Sequence, residues 1–143
     1  MTPLSDLTAK LRLDYHDTLS DPGQDLSEEQ LCRCIERGLL FLNRDFSAVY
    51  TVNNDSIDPV LTLEHRELLL LRSLALVCET MAAKSSRQVS FASGDKTVTH
   101  GDEARIWLAL GERSMSRYDA AVEQSTGGVL SLQPLLYGDD ATI

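Results

Sequence analysis

The stretch that most constrains this chain is residues 67–83, Glu-Leu-Leu-Leu-Leu-Arg-Ser-Leu-Ala-Leu-Val-Cys-Glu-Thr-Met-Ala-Ala. Wound as a helix it is apolar on nearly every side, interrupted only by Glu67, Arg72, Glu79 and the small Ser73 and Thr80. A helix with more than one greasy face must be wrapped by other elements or other subunits. It is too short and too charged to cross a bilayer, which takes roughly 20 apolar residues. The expectation is a buried central helix of a bundle. Two neighbours are predicted to cover Leu68, Leu71, Ala75 and Cys78 on one side and Leu70, Leu74, Val77 and Met81 on another. Leu69 and Leu76 remain for the first helix or an adjacent subunit.

The flanking sequence supplies the wrapping. A first helix is expected with Thr2 as N-cap and Pro3 at its first position, its stripe formed by Leu4, Leu7, Leu11 and Tyr15; Asp21-Pro22-Gly23 ends that unit. The next helix carries the clearest start signal, a capping box in Ser27-Glu28-Glu29-Gln30 with Leu26 and Leu31 placed as a hydrophobic staple. Leu31, Cys34, Ile35, Gly38, Leu39, Leu42 and Phe46 then share one face. Asn53-Asn54-Asp55 and Asp58-Pro59 read as loop, and Thr62 caps the central helix, which should run to about Lys84.

Beyond Lys84 the pattern changes. Gln88–Ala92 alternates, Ser93-Gly94-Asp95 has turn chemistry and Lys96–Thr99 favours strand, so a short β-hairpin or extended arm is expected over residues 86–99. Thr99 opens a last helix with a stripe of Ala104, Trp107, Leu108, Gly111, Met115, Tyr118 and Val122. Arg105, Arg113 and Arg117 fall mostly opposite it. Gly127-Gly128 should stop that helix. This divides the chain into an all-α domain of about four helices, residues 1–124, and an extended C-terminal tail, residues 125–143, with Leu130, Leu132, Leu135, Leu136 and Tyr137 around Pro134. The tail is expected either to order on a partner or to pack back on its own domain.

Charge and reactive groups exclude several function classes. With 22 acidic against 13 basic side chains, a net charge of −9, the chain is unsuited to gripping phosphate backbones. Residues 1–31 hold seven acids against Lys10 and Arg12, whereas residues 84–100 are basic, so one copy's basic stretch can meet another's acidic one. Cys32 and Cys34 point roughly 200° apart on a helix and cannot share an ion; with Cys78 they read as small core residues in a reducing compartment. His16, His65 and His100 have no motif partner, Ser93–Lys96 lacks the spacing of a phosphate loop, and Ser73, Ser114 and Ser116 sit within helices rather than on an elbow. No catalytic, metal or cofactor site is expected, and no enzyme. The start lacks a basic stretch followed by an apolar run, so no leader is expected.

The layout from residue 3 to 123 resembles the head-to-tail connector (adaptor) proteins of tailed double-stranded DNA phages. The residues that carry the resemblance are Leu26–Gly38, the Leu-rich helix, Val89–Asp95 with its Phe91-x-x-Gly94-Asp95 stretch, and the final helix with Ala104, Leu110 and Tyr118. It implies a virion protein of the phage neck, made in the host cytoplasm, that forms a homo-oligomeric ring, dodecameric on the family pattern, between the portal and the next neck or tail-completion protein. DNA would pass through the channel without sequence-specific binding, and neither cofactor nor membrane is implied. On this basis the arm is expected to cross to a neighbouring subunit through Arg87, Val89, Phe91, Lys96 and Val98, and the tail to reach the portal through Leu130, Leu132, Leu135, Leu136 and Tyr137. Without the resemblance, a cytoplasmic helical interaction or regulatory module acting as a dimer is the other expectation.

Overall fold

Helix α3, Leu63–Phe91, is the axis of the molecule, and α1 (Leu4–Tyr15), α2 (Glu28–Phe46) and α4 (Asp95–Leu132) pack around it. The computed structural model describes residues 1–19, 23, 25–91 and 95–132, with side chains over 1–19, 23, 25–85 and 103–125. A single 3-10 turn, His16–Thr18, follows α1. The small sheet comprises β1 (Thr2–Pro3), β2 (Thr51–Asn53) and β3 (Ser56–Asp58), antiparallel in the order β1-β3-β2. The expected all-α bundle of four helices is what the chain forms.

The greasy stretch is buried within one chain. Leu69 and Leu76, with no predicted partner on α2 or α4, are 0% and 2% exposed. The reason is close approach. At Gly38 of α2 an added Cβ would lie 2.7 Å from Ser73 Oγ and 3.3 Å from Leu69 Cδ1, so α2 sits directly on that face of α3. On the opposite flank a Cβ at Gly111 of α4 would lie 3.0 Å from Cys78 Cβ, and Ser114 Oγ donates to the Leu71 carbonyl at 2.6 Å. These contacts run α4 antiparallel to α3. They also shift the α4 stripe: Ser114 is buried in place of the expected Met115, and Leu108 is half exposed.

Helix starts follow the sequence signals where side chains supply the caps. Ser27 Oγ accepts from the Gln30 amide at 3.2 Å while Gln30 Oε1 accepts from the Ser27 amide at 2.9 Å, completing the capping box. Thr62 Oγ1 accepts from the His65 amide at 3.1 Å. At the N-terminus the expectation needs correction. Helix α1 begins at Leu4, not Pro3, because Thr2 and Pro3 pair with β3; the Leu4 amide donates to the Asp55 carbonyl at 2.8 Å, and Thr2 Oγ1 accepts from Leu61.

The loop expected over residues 47–61 contains a hairpin. Asn54 and Asp55, with φ of 50° and 62°, form the turn between β2 and β3, the left-handed pair that matches the twist of two antiparallel strands. The short β-hairpin or extended arm expected at 86–99 has, by contrast, helical backbone at 86–91 and 95–99: α3 continues through Phe91 and α4 already begins at Asp95, with 92–94 outside the described residues. Extending an existing helix adds a hydrogen bond for each residue fixed, whereas an isolated two-stranded arm has nothing to lean on. Helix α4 likewise runs through Gly127 and Gly128 to Leu132 instead of stopping there. Glycine within a helix costs only about 1 kcal/mol against alanine.

Part of the acidic N-terminal stretch is consumed internally. Asp25 accepts from Arg12 Nε at 3.1 Å, from the Leu26 amide at 2.7 Å and from the Tyr15 hydroxyl. Glu28 accepts from Thr8 at 3.1 Å. This latch joins α1 to the start of α2 and uses Asp25, with part of the acceptor capacity of the exposed Glu28, within the chain.

Candidate assembly surface

Over residues 103–125, helix α4 is covered along one narrow stripe. Ala104, Trp107, Ser114 and Tyr118 are buried, Gly111, Ala121 and Val122 are half-buried, and Ile106 and Leu108 are 54% and 50% exposed. The cause is topological, since among the described residues α1 and α2 meet α4 through their ends. Tyr15 at the end of α1 meets Trp107 edge-on, ring centroids 5.8 Å apart, and Asp45 near the end of α2 accepts from Tyr118 at 2.9 Å. Open troughs are left on both sides of α4.

The trough between α1 and α4, about 570 Å³, is floored by Leu70, Leu71, Leu74 and Leu110. Lys10, Arg66 and Arg117 stand on its rim, and Arg113 lies on its continuation along α4. None of these four cations forms an ion pair or side-chain hydrogen bond among the described residues. Their acidic neighbours there are Asp14, Glu67 and Glu112. Burial raises the Asp14 carboxyl above its ordinary range, and nearby Lys10 pulls it partly back.

The opposite flank, between α3 and α4, holds a smaller trough of about 300 Å³ over Ala75, Cys78, Leu108 and Met115. Burial pushes the Cys78 thiol up to about 12, so at neutral pH it is a core group and not a nucleophile. On the same flank Phe41 of α2 carries two guanidiniums, Arg72 at 4.0 Å and Arg44 at 4.9 Å from its ring centroid. Stacked this way, each keeps N–H edges available to another acceptor.

Arg87, Val89 and Phe91 lie in the last turns of α3, and Lys96 and Val98 in the first turn of α4; their side chains are outside those described. They share one end of the helical hairpin through their backbone positions, not through a strand. Leu130 and Leu132 end α4, and Leu135, Leu136 and Tyr137 lie outside the described residues. At 1.5 Å per residue the two groups stand about 54 Å apart along α4, measured from Lys96 to Leu132. Sequence reasoning missed the trough between them. A signal was present: Leu63, Glu67, Leu70 and Leu74 repeat at intervals of three and four, as do Leu110, Arg113 and Arg117.

His65 is drawn into an aromatic cluster, sharing a 2.7 Å hydrogen bond with the Tyr50 hydroxyl and packing near Phe46. No group of three or more metal-ligating side chains converges among the described residues, and no helix there is long and apolar enough to cross a membrane. Compared with known proteins, the chain matches no family model, no curated protein and no solved structure.

Proposed function

We propose that this protein is a structural subunit of a phage neck, whose copies join in a ring between the capsid portal and the tail and extend the DNA channel. The observation that carries the proposal is the exposure of α4. A helix buried along one stripe, with Ile106 and Leu108 half exposed and a trough on either flank, offers two different faces, and contact between unlike faces propagates around a ring. The acidic balance suits the role: a channel that passes DNA without holding it should not line itself densely with cations, since every neutralised phosphate adds affinity. The stretch that resembles the connectors fits as well, with Phe91 ending α3 and Asp95 opening α4 at the tip of the hairpin.

Light scattering and negative-stain imaging of the purified protein, with and without a portal ring, test this. Coaxial rings on the portal are the expected result. A monomer or dimer that never joins a portal would exclude the neck role and leave the dimeric interaction module.

A further inference from the structure

We infer that the trough between α1 and α4 receives the segment Leu135–Asp140 of a second copy of this chain. The floor of Leu70, Leu74 and Leu110 is apolar, and the rim arginines Arg66 and Arg117 form no ion pair among the described residues. Unpaired guanidiniums are unexpected in a chain with nine more acids than bases. The segment Leu135-Leu136-Tyr137-Gly138-Asp139-Asp140 is complementary in order and in sign: three apolar side chains for the floor, then two carboxylates for the rim, with no lysine or arginine. The rim sets Lys10, Arg66 and Arg117 against Asp14 and Glu67, a positive balance opposite in sign to the segment, and such charges steer an encounter and set its register.

Reach decides which copy supplies the segment. The hydrogen bond from Ser114 to Leu71 marks the level of the floor, and α4 remains helical to Leu132. Eighteen residues of helix separate Ser114 from Leu132, about 27 Å at 1.5 Å per residue. Tyr137 lies five residues beyond Leu132, at most about 18 Å of extended chain. A chain therefore cannot seat its own Leu135–Tyr137 on the floor without unwinding α4, whereas a neighbour can. The segment that the connector resemblance would send to the portal is assigned here to the ring itself.

The test uses the full-length chain with Leu136 replaced by the photocrosslinker p-benzoylphenylalanine, prepared in isotopically heavy and light forms and mixed at high concentration. Mass spectrometry after irradiation and digestion should find heavy–light crosslinks to peptides containing Leu70, Leu74 or Leu110. Arg66→Glu with Arg117→Glu should lower their yield about tenfold, the equivalent of 1.4 kcal/mol. Asp139→Arg with Asp140→Arg added to that variant should restore it, which a merely unfolded protein would not do. Crosslinks confined to single chains, crosslinks to other surfaces, no heavy–light crosslinks, or a yield indifferent to both charge reversals would each overturn the inference. No portal is present in this experiment, so its failure is distinct from failure of the neck assignment.

Discussion

At the scale of single residues, the closest constraint is Gly38 against Ser73. The Ser73 hydroxyl is fully buried and has no hydrogen-bond partner among the described residues. An unpaired buried hydroxyl costs about 1–3 kcal/mol, so Ser73→Ala should raise stability by about 1 kcal/mol in urea unfolding. Gly38→Ala alone should lower it, because the new Cβ would meet Ser73 Oγ at 2.7 Å, which outweighs the gain of about 1 kcal/mol in helix propensity. Combined with Ser73→Ala, the same change should be neutral or stabilising, a coupling of about 1 kcal/mol between touching residues. Additive effects would show that the two helices adjust freely. Titration gives a second expectation. Burial, followed by hydrogen bonding to Asp25 and Asp45 respectively, raises the hydroxyls of Tyr15 and Tyr118 above their ordinary 10.0. Above pH 10 the unfolded chain releases protons that the folded chain retains. The stability these groups contribute is therefore complete below pH 10 and falls as pH rises further. Thermal melts should show this alkaline decline, and Tyr15→Phe or Tyr118→Phe should each flatten it.

At the scale of elements, the short hairpin has more influence than its length suggests. It ties α1 to the start of α3 through the Asp55 carbonyl and, by way of β1, through the Thr2 hydroxyl. Its turn needs left-handed backbone at Asn54 and Asp55, a conformation that asparagine and aspartate tolerate and a β-branched residue does not. Asn54→Val should therefore cost about 1–2 kcal/mol and expose the N-terminal residues to early hydrogen exchange. Exchange that accelerates only in the turn would show that the hairpin does not anchor α1. The capping box is independent of this. Ser27→Ala should cost about 1 kcal/mol of unfolding free energy, with fraying limited to the first turn of α2. Both starting signals of α2 and α3 were legible because the capping side chain lies beside the helix it starts. Residues 86–91 and 95–99 went the other way: their alternation favours strand locally, but among the described residues no partner strand lies beside them, and continuing α3 and α4 satisfies the backbone without one.

At the scale of the whole molecule, copies that join in the proposed ring, each of charge −9, would do so against mutual repulsion, so in that ring contacts along α4 are expected to be apolar with local charge pairing. Ile106→Glu with Leu108→Glu should leave helicity intact and change thermal stability by no more than about 0.5 kcal/mol, as exposed sites do, while abolishing rings in negative stain. Rings that persist would move the contact away from this face of α4. The four-helix class, the buried stripes of α1 and α2, the caps at Ser27 and Thr62 and the burial of most apolar side chains between Leu68 and Ala82 were legible in the amino-acid order, because each depends on neighbours within a turn or two along the chain. The packed fold was needed to show that α2 covers Leu69 through Gly38, that Asp25 and Glu28 serve an internal latch, and that among the described residues α1 and α2 meet α4 at their ends, leaving the trough rimmed by Arg66 and Arg117. Those outcomes depend on which helix ends meet across the bundle, and helical periodicity records which face of a helix is apolar but not which partner lies against it.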